Sequence, residues 1–152
     1  MPEELLESTA FLLGRLGFAC KGRAIDEFEV LGFSPYHYSV LALLSEGERE
    51  TQGTIADALG VDRSQLVGLL DGLEERALIE RHRDPNDRRR HVVKLSPAGE
   101  GQLAEFRSTI KRVEEDILAP LDPESRETLH LLLLRIASQH DPRFAAGSVG
   151  SG

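Results

Sequence analysis

Six bases crowd into residues 81–94, RHRDPNDRRRHVVK: Arg81, Arg83, Arg88, Arg89, Arg90 and Lys94, against only Asp84 and Asp87. Guanidinium groups at this density suit one kind of chemistry, forked and charge-assisted hydrogen bonds to phosphate oxygens. The stretch carries six positive and two negative charges, +4, in a chain whose formal charge is -8. Between residues 51 and 95 eight acids and eight bases cancel, so the acidic excess lies wholly outside that segment. An acidic body with one basic projection orients itself on a polyanion.

A second group stands just upstream. Asp62 followed by Gln65 has the spacing of a capping box and starts a helix over 62–76. Leu66, Leu69, Leu70 and Leu73 form its inward stripe and leave Arg63, Ser64, Gln65 and Gly68 outward. In a major groove Arg pairs with guanine and Gln with adenine, Ser is permissive, and Gly68 admits close approach. Thr51 and Gln52 open the preceding helix, where backbone N–H groups favour a phosphate. The plain alternative is a solvated helix face beside a charged loop. The outward set and the basic hairpin, adjacent in sequence, favour duplex DNA as partner.

The elements that must hold these residues follow from periodicity and punctuation. Glu4 to about Leu31 reads as one long helix on the stripe Leu12, Leu16, Cys20, Ala24 and Phe28, with Gly32 closing it. Ser34-Pro35 starts a helix to Ser45 that buries Tyr38, Leu41, Ala42 and Leu44, and Glu46 to Glu50 reads as a polar turn. Thr51 caps a short helix with Ile55, Ala56 and Leu59 inward, and Gly60 ends it. Strands over 79–83 and 90–95 flank the turn Asp84-Pro85-Asn86-Asp87, and Asn86 at that tip is counted with the DNA-facing residues. Ser96-Pro97 starts a helix to about Leu118, and Asp122-Pro123 starts the last one, which carries the apolar run Leu129, Leu131 to Leu134 and Ile136.

The expected fold is therefore mainly α with a small β-hairpin wing. It is a winged helix-turn-helix over 33–96, flanked by N- and C-terminal dimerisation helices over 4–31 and 97–140 and a flexible tail over 141–152, all in one domain of residues 1–152. The terminal helices hold more apolar surface than a small winged core can cover, and a homodimer is the simplest way to bury it.

Composition bounds the rest. With 152 residues, no Trp and 5% aromatics, the chain can bury a core but offers no aromatic platform for stacking bases. No apolar run reaches a membrane span. One cysteine excludes an internal disulfide and points to the cytoplasm. Phosphate-loop, nucleophile-elbow and zinc-protease patterns are absent, so the chain does not read as an enzyme. His82 and His91 lie in the wing while His37, His130 and His140 fall in separate elements without ligand spacing, so neither metal nor cofactor is expected.

Over residues 5–140 the chain resembles the MarR family of multiple antibiotic resistance regulators. The resemblance rests on SPYHYSVLALL, on TIADALGVDRSQLVGLLDGLEERALIERHRDPNDRRRHVVKLSPAGE, and above all on the pattern D-x-x-D-R-R-x-x-x-V-x-L-[ST]-x-x-G. That pattern is met by Asp84, Asp87, Arg88, Arg89, Val93, Leu95, Ser96 and Gly99. It implies a homodimeric transcriptional regulator, a repressor released by a small effector, on a pseudo-palindromic DNA operator. It further implies a latch between Asp62 and Arg89 that ties wing to recognition helix, and places Arg81 near the DNA. Arg88 and Arg90 are left to face phosphate or minor groove. A small aromatic or anionic effector is implied between the winged core and the terminal helices, with Arg15, Phe18, Tyr36, His37, Tyr38, Phe106 and Arg107 as candidates, each equally readable as core or interface. One branch of the family senses peroxide through a cysteine nearer the start of the first helix. Cys20 lies instead within the apolar stripe and reads first as a core residue. Two other readings remain open: redox sensing through Cys20, and a winged-helix module for protein contact without DNA.

Overall fold

The computed structural model describes residues 1–47 and 50–145. In chain order the elements are α1 (Glu3–Leu6), α2 (Thr9–Val30), α3 (Pro35–Glu46), β1 (Glu50–Thr51), α4 (Gln52–Leu59), α5 (Arg63–Glu75), β2 (Ile79–Asp84), β3 (Asp87–Leu95), α6 (Pro97–Ile117) and α7 (Pro123–His140), with a 3-10 turn at Pro142–Phe144. The chain divides into two compact units, one through Val113 and one from Glu114.

The punctuation read from sequence acts as physical caps. Asp62 accepts from the Gln65 amide at 2.8 Å and starts α5, and Asp122 accepts from the Ser125 amide at 3.3 Å and starts α7. Gly32 and Gly60 hold positive φ of 78° and 64° just past α2 and α4, where any other side chain would be strained. Two expectations change. The first helix is not continuous, because Ser8 accepts from the Phe11 amide at 3.2 Å and caps α2 separately from the single turn of α1. The expected polar turn at 46–50 ends in a strand: Glu50 and Thr51 pair with Val93 and Val92, giving a three-stranded sheet of order β1-β3-β2. Glu48 and Arg49, within that turn, lie outside the described residues, as do residues 146–152 of the tail.

The core of the first unit gathers Phe28 of α2, Val40, Leu41 and Leu44 of α3, Ile55 of α4, Leu66, Leu70 and Leu73 of α5, Ile79 and Val93 of the sheet, and Leu103 and Phe106 of α6. Phe106 is fully buried, with Phe28 at 5.0 Å and Phe33 at 4.9 Å between ring centroids. Each such ring contributes about 2–3 kcal/mol by leaving water. Arg76, the residue after α5, closes the edge of this cluster. Its guanidinium stacks 4.1 Å from the Phe33 centroid and donates to the Gly32 carbonyl at 2.9 Å.

Where α5 passes into the hairpin and the hairpin into α6, backbones meet closely. Ala77 turns the chain at φ 57°, and the Ser96 amide donates to the Leu78 carbonyl at 3.1 Å. The Ser96 hydroxyl donates to the Ala77 carbonyl at 2.6 Å while accepting from the Gly99 amide at 3.0 Å. One buried side chain thus caps α6 and fastens it to the start of the wing. A Cβ at Gly99 would stand 2.1 Å from the Leu78 oxygen, so this crossing requires glycine.

In the second unit, Arg126 joins the turn before α7 by donating to the Leu118 and Leu121 carbonyls at 3.1 and 3.0 Å. No residue of α7 is buried, and Leu131, Leu132, Leu133 and Ile136 are exposed.

Candidate nucleic-acid interface

The helix-turn-helix is α4, the turn at Gly60–Asp62, and α5. Thr51 holds the start of α4 by a reciprocal box: its hydroxyl accepts from the Thr54 amide at 3.2 Å, and the Thr54 hydroxyl accepts from the Thr51 amide at 2.9 Å. Asp62 caps α5 one way, accepting from the Gln65 amide without the return bond of the expected capping box, and also accepts from the Ser64 hydroxyl at 2.6 Å. That hydroxyl, and next the Gln65 amide, hold the Asp62 carboxyl below the usual carboxylate range. The expected partner Arg89 contributes nothing to this carboxylate. The structure does not join Asp62 and Arg89: both donors to this carboxylate, the Ser64 hydroxyl and the Gln65 amide, come from its own helix turn and fall on Oδ1.

The outward face of α5 carries Arg63, Ser64, Gln65 and Gly68, all exposed as expected. It also carries Val67, which the sequence reading passed over and which is 40% exposed. Its signal was an apolar residue lying off the leucine stripe.

The hairpin departs from simple alternation at its tip. Pairing runs without interruption from Ile79↔Leu95 to Arg83↔His91, and the next pair is Asp84↔Asp87. Arg88, Arg89 and Arg90 therefore lie in a break of register with no cross-strand partner, so strand alternation does not decide where they point. Two aspartates shape the tip. Asp84 accepts from the Asn86 amide at 2.9 Å, and Asp87 from the Arg89 amide at 3.0 Å. The three guanidinium groups are exposed and have no side-chain partner among the described residues.

Arg89, Arg90 and His91 join Thr51, Gln52, Gly53 and Arg63 around a cleft of about 390 Å³, floored by Leu66 and Val67. Arg63 extends toward Gly53, with its guanidinium 3.7 Å from where a Cβ there would stand. The cleft thus brings together five residues named from sequence: Thr51, Gln52, Arg63, Arg89 and Arg90. None of its lining residues is acidic, and the N-terminus of α4 adds the positive end of its helix dipole. Arg81 is placed elsewhere. It donates to Glu74 at 2.7 Å and to Asp71 at 2.5 Å, both on α5, rather than projecting from the hairpin.

The seven effector candidates divide among different settings. Phe106 is core, and Tyr38 packs on Phe28 at 6.1 Å. His37 is a cap for α3: its Nδ1 accepts from the Ser34 amide at 2.9 Å. Burial and then the nearby Arg76 charge push its pKa down. Arg15, Phe18 and Tyr36 are exposed, Phe18 at 79%. Arg107 reaches the Ser45 hydroxyl at 3.4 Å and lines a separate cleft of about 790 Å³ with Leu44, Lys94 and Glu100. Cys20 is partly buried on α2.

Comparison with known proteins places this geometry. The MarR family model matches residues 31–90, the span from the end of α2 to the wing tip. A putative transcriptional regulatory protein for the hcr operon of Thauera aromatica is 32% identical over 136 residues, covering 84% of this chain and 82% of that protein. The transcriptional repressor CouR, solved on a 23-mer DNA duplex, is 32% identical with a TM-score of 0.78, over 89% of this chain and 96% of that one. CouR from Rhodococcus jostii RHA1, solved with p-coumaroyl-CoA, gives 29% identity and a TM-score of 0.73, over 90% and 96% of the two chains. The family model and a relative 32% identical over 84% of this chain agree, and the chain belongs to the MarR family of transcriptional regulators.

Proposed function

We propose that the protein is a homodimeric, sequence-specific DNA-binding repressor. In this reading α5 enters the major groove and the wing tip grips the flanking minor groove and its phosphates. The observation that carries it is the acid-free cleft joining the start of α4, the face of α5 and the wing arginines in a chain of net charge -8. Within the groove, Arg63 and Gln65 are the base readers, Val67 suits a thymine methyl, and Ser64, whose hydroxyl already donates to Asp62, is left to accept. Thr51, Gln52, Asn86, Arg88, Arg89 and Arg90 position the protein on the backbone, which fixes register without reading sequence.

Two copies are proposed because each terminal region presents unburied apolar surface. On α2 these residues are Leu12, Leu13, Leu16, Phe18 and Ile25; on α7 they are Leu131, Leu132, Leu133 and Ile136. A twofold dimer presents two α5 helices to a pseudo-palindrome. CouR's complex with p-coumaroyl-CoA suggests the effector class, an aromatic acyl thioester, which is both aromatic and anionic.

The test is selection of duplexes from a random pool, followed by affinity measurements over a salt series. A palindromic consensus bound by a dimer is expected. Arg88→Ala with Arg90→Ala should weaken every duplex and lower the log–log salt slope by about two, one for each lost phosphate contact. Titrating the complex with p-coumaroyl-CoA, with CoA and with free p-coumarate should release DNA only with the thioester. If no duplex is enriched, the DNA reading fails and the winged-helix protein module takes its place.

A further inference from the structure

Arg81 stands apart from the other arginines of the hairpin. Its side chain is 20% exposed and bound to two carboxylates, whereas those at the tip are exposed. Its Nε donates to Glu74 Oε2 at 2.7 Å and its Nη2 to Asp71 Oδ1 at 2.5 Å. Asp71 and Glu74 are three residues apart and so share one face of α5. Arg81 pairs across the hairpin with Val93, which is buried in the core, so this face of the hairpin looks toward α5. One guanidinium thus answers two carboxylates, and the trio keeps one net negative charge. Glu74 is held below the usual carboxylate range by its bond from Arg81, and Arg81 is pushed up by Glu74 and then Asp71.

We propose that Arg81 is a positioning residue that, with Asp71 and Glu74, fixes the angle and spacing between the wing and the recognition helix without touching DNA. This rests on the DNA-binding reading above. The apolar contacts of Ile79 and Val93 hold the base of the hairpin, but burial is non-directional. A guanidinium fork on two carboxylates is directional and bridges strand to helix. Because Asp62 and Arg89 are not joined, this fork is the polar side-chain tie between α5 and the hairpin among the described residues. A wing and a helix that must seat in two grooves at once lose affinity when their separation fluctuates, since the complex must then supply the ordering.

The charges make the test discriminating. Neutralising Asp71 and Glu74 removes two negative groups from the DNA-facing half, which by charge alone tightens binding to a polyanion. Positioning predicts the opposite sign. Affinity for a duplex selected by the wild-type protein is measured over a salt series for Arg81→Gln, for Asp71→Asn with Glu74→Gln, and for the triple variant. Each should lose affinity on the order of tenfold, with the wild-type salt slope, and the triple should be no weaker than Arg81→Gln alone.

A spin-label pair at Val67→Cys and Asp87→Cys, in a Cys20→Ser background, reads the wing-to-helix distance without DNA. Its distribution should broaden in Arg81→Gln while the circular-dichroism spectrum at 20 °C is kept. The proposal is overturned if Arg81→Gln lowers the salt slope by about one, which marks a phosphate contact. It is also overturned if the carboxylate pair variant binds more tightly, or if affinity and distance distribution are both unchanged. Failure of the wild-type protein to select any duplex would strike the DNA reading itself, whereas a clamp variant indistinguishable from wild type strikes only the clamp.

Discussion

The two ends of the β2–β3 hairpin follow opposite rules. At its base Ile79, Val93 and Ser96 are between 1% and 5% exposed, and the Ser96 hydroxyl is satisfied both as donor and as acceptor. At its tip Arg88, Arg89 and Arg90 fall out of register, lie exposed and gather like charge that the folded chain does not use. Folding accounts for the base, whose groups find their partners within the chain. The tip gathers like charges that have no side-chain partner among the described residues, an arrangement that suits the DNA contact proposed above. Arg81 sits between the two and shares in both, being charged like the tip and bonded like the base.

The sharpest way to break the contrast is at Gly99. An alanine there sets a methyl 2.1 Å from the Leu78 oxygen and 2.7 Å from Leu95 Cδ1, so α6 must move away from the hairpin. The gain in helix propensity, about 1 kcal/mol, does not offset such overpacking. Gly99→Ala should destabilise by about 3 kcal/mol, read from urea unfolding. A loss under about 1 kcal/mol would mean that the base is more yielding than its geometry implies. Ser96→Ala comes next. It removes the cap of α6 and the bond to the Ala77 carbonyl, leaving both partners short of a bond, and should cost about 2 kcal/mol in the same measurement.

The base was largely legible in sequence and the tip was not, for a physical reason. Ser96-Pro97, Thr51, Asp62 and Asp122-Pro123 mark helix starts because the residue that caps lies within three positions of the amide it satisfies. Such local bonds can be read along the chain, and so can the leucine spacing that buries Leu66, Leu70 and Leu73. The Ser8 cap was equally local, but the apolar repeat running across it concealed the break. Register is not local. Whether Arg88 to Arg90 alternate or bulge depends on how nine residues of β3 are matched to six of β2, which only the closed hairpin decides. The same holds for β1, two residues long and paired with a strand some forty positions away. The partners of Arg81 were missed because Asp71 and Glu74 entered only the charge balance, while the family resemblance placed Arg81 near DNA and gave the latch to Asp62 and Arg89.

A smaller effect tests the middle of the hairpin by pH. The bond from Arg81 depresses the Glu74 pKa in the folded protein. A carboxylate depressed on folding stabilises the fold above its unfolded pKa, about 4.3, and that contribution is lost as pH falls through the folded value. The melting-temperature difference between wild type and Arg81→Gln should therefore stay constant from pH 7 to about pH 5 and shrink below it. A gap that widens on acidification would assign the loss to packing of the arginine stem rather than to its charge.

The smallest expected change in stability is at the tip, and its sign is what matters. Arg88→Ala with Arg90→Ala deletes no side-chain hydrogen bond or ion pair among the described residues and removes two of three adjacent like charges. Its unfolding free energy should lie within about 0.5 kcal/mol of wild type, on the stabilising side. The gain should fade as salt screens the repulsion. The same variant should lose operator affinity, so stability and binding move in opposite directions at the tip while Gly99→Ala and Ser96→Ala lower both at the base. Such a divergence is expected where charge is retained against the interest of the fold because a partner requires it. A tip variant that lost stability along with affinity would show that the arginines contribute to the fold after all, and the division of the hairpin into a folding half and a binding half would fall.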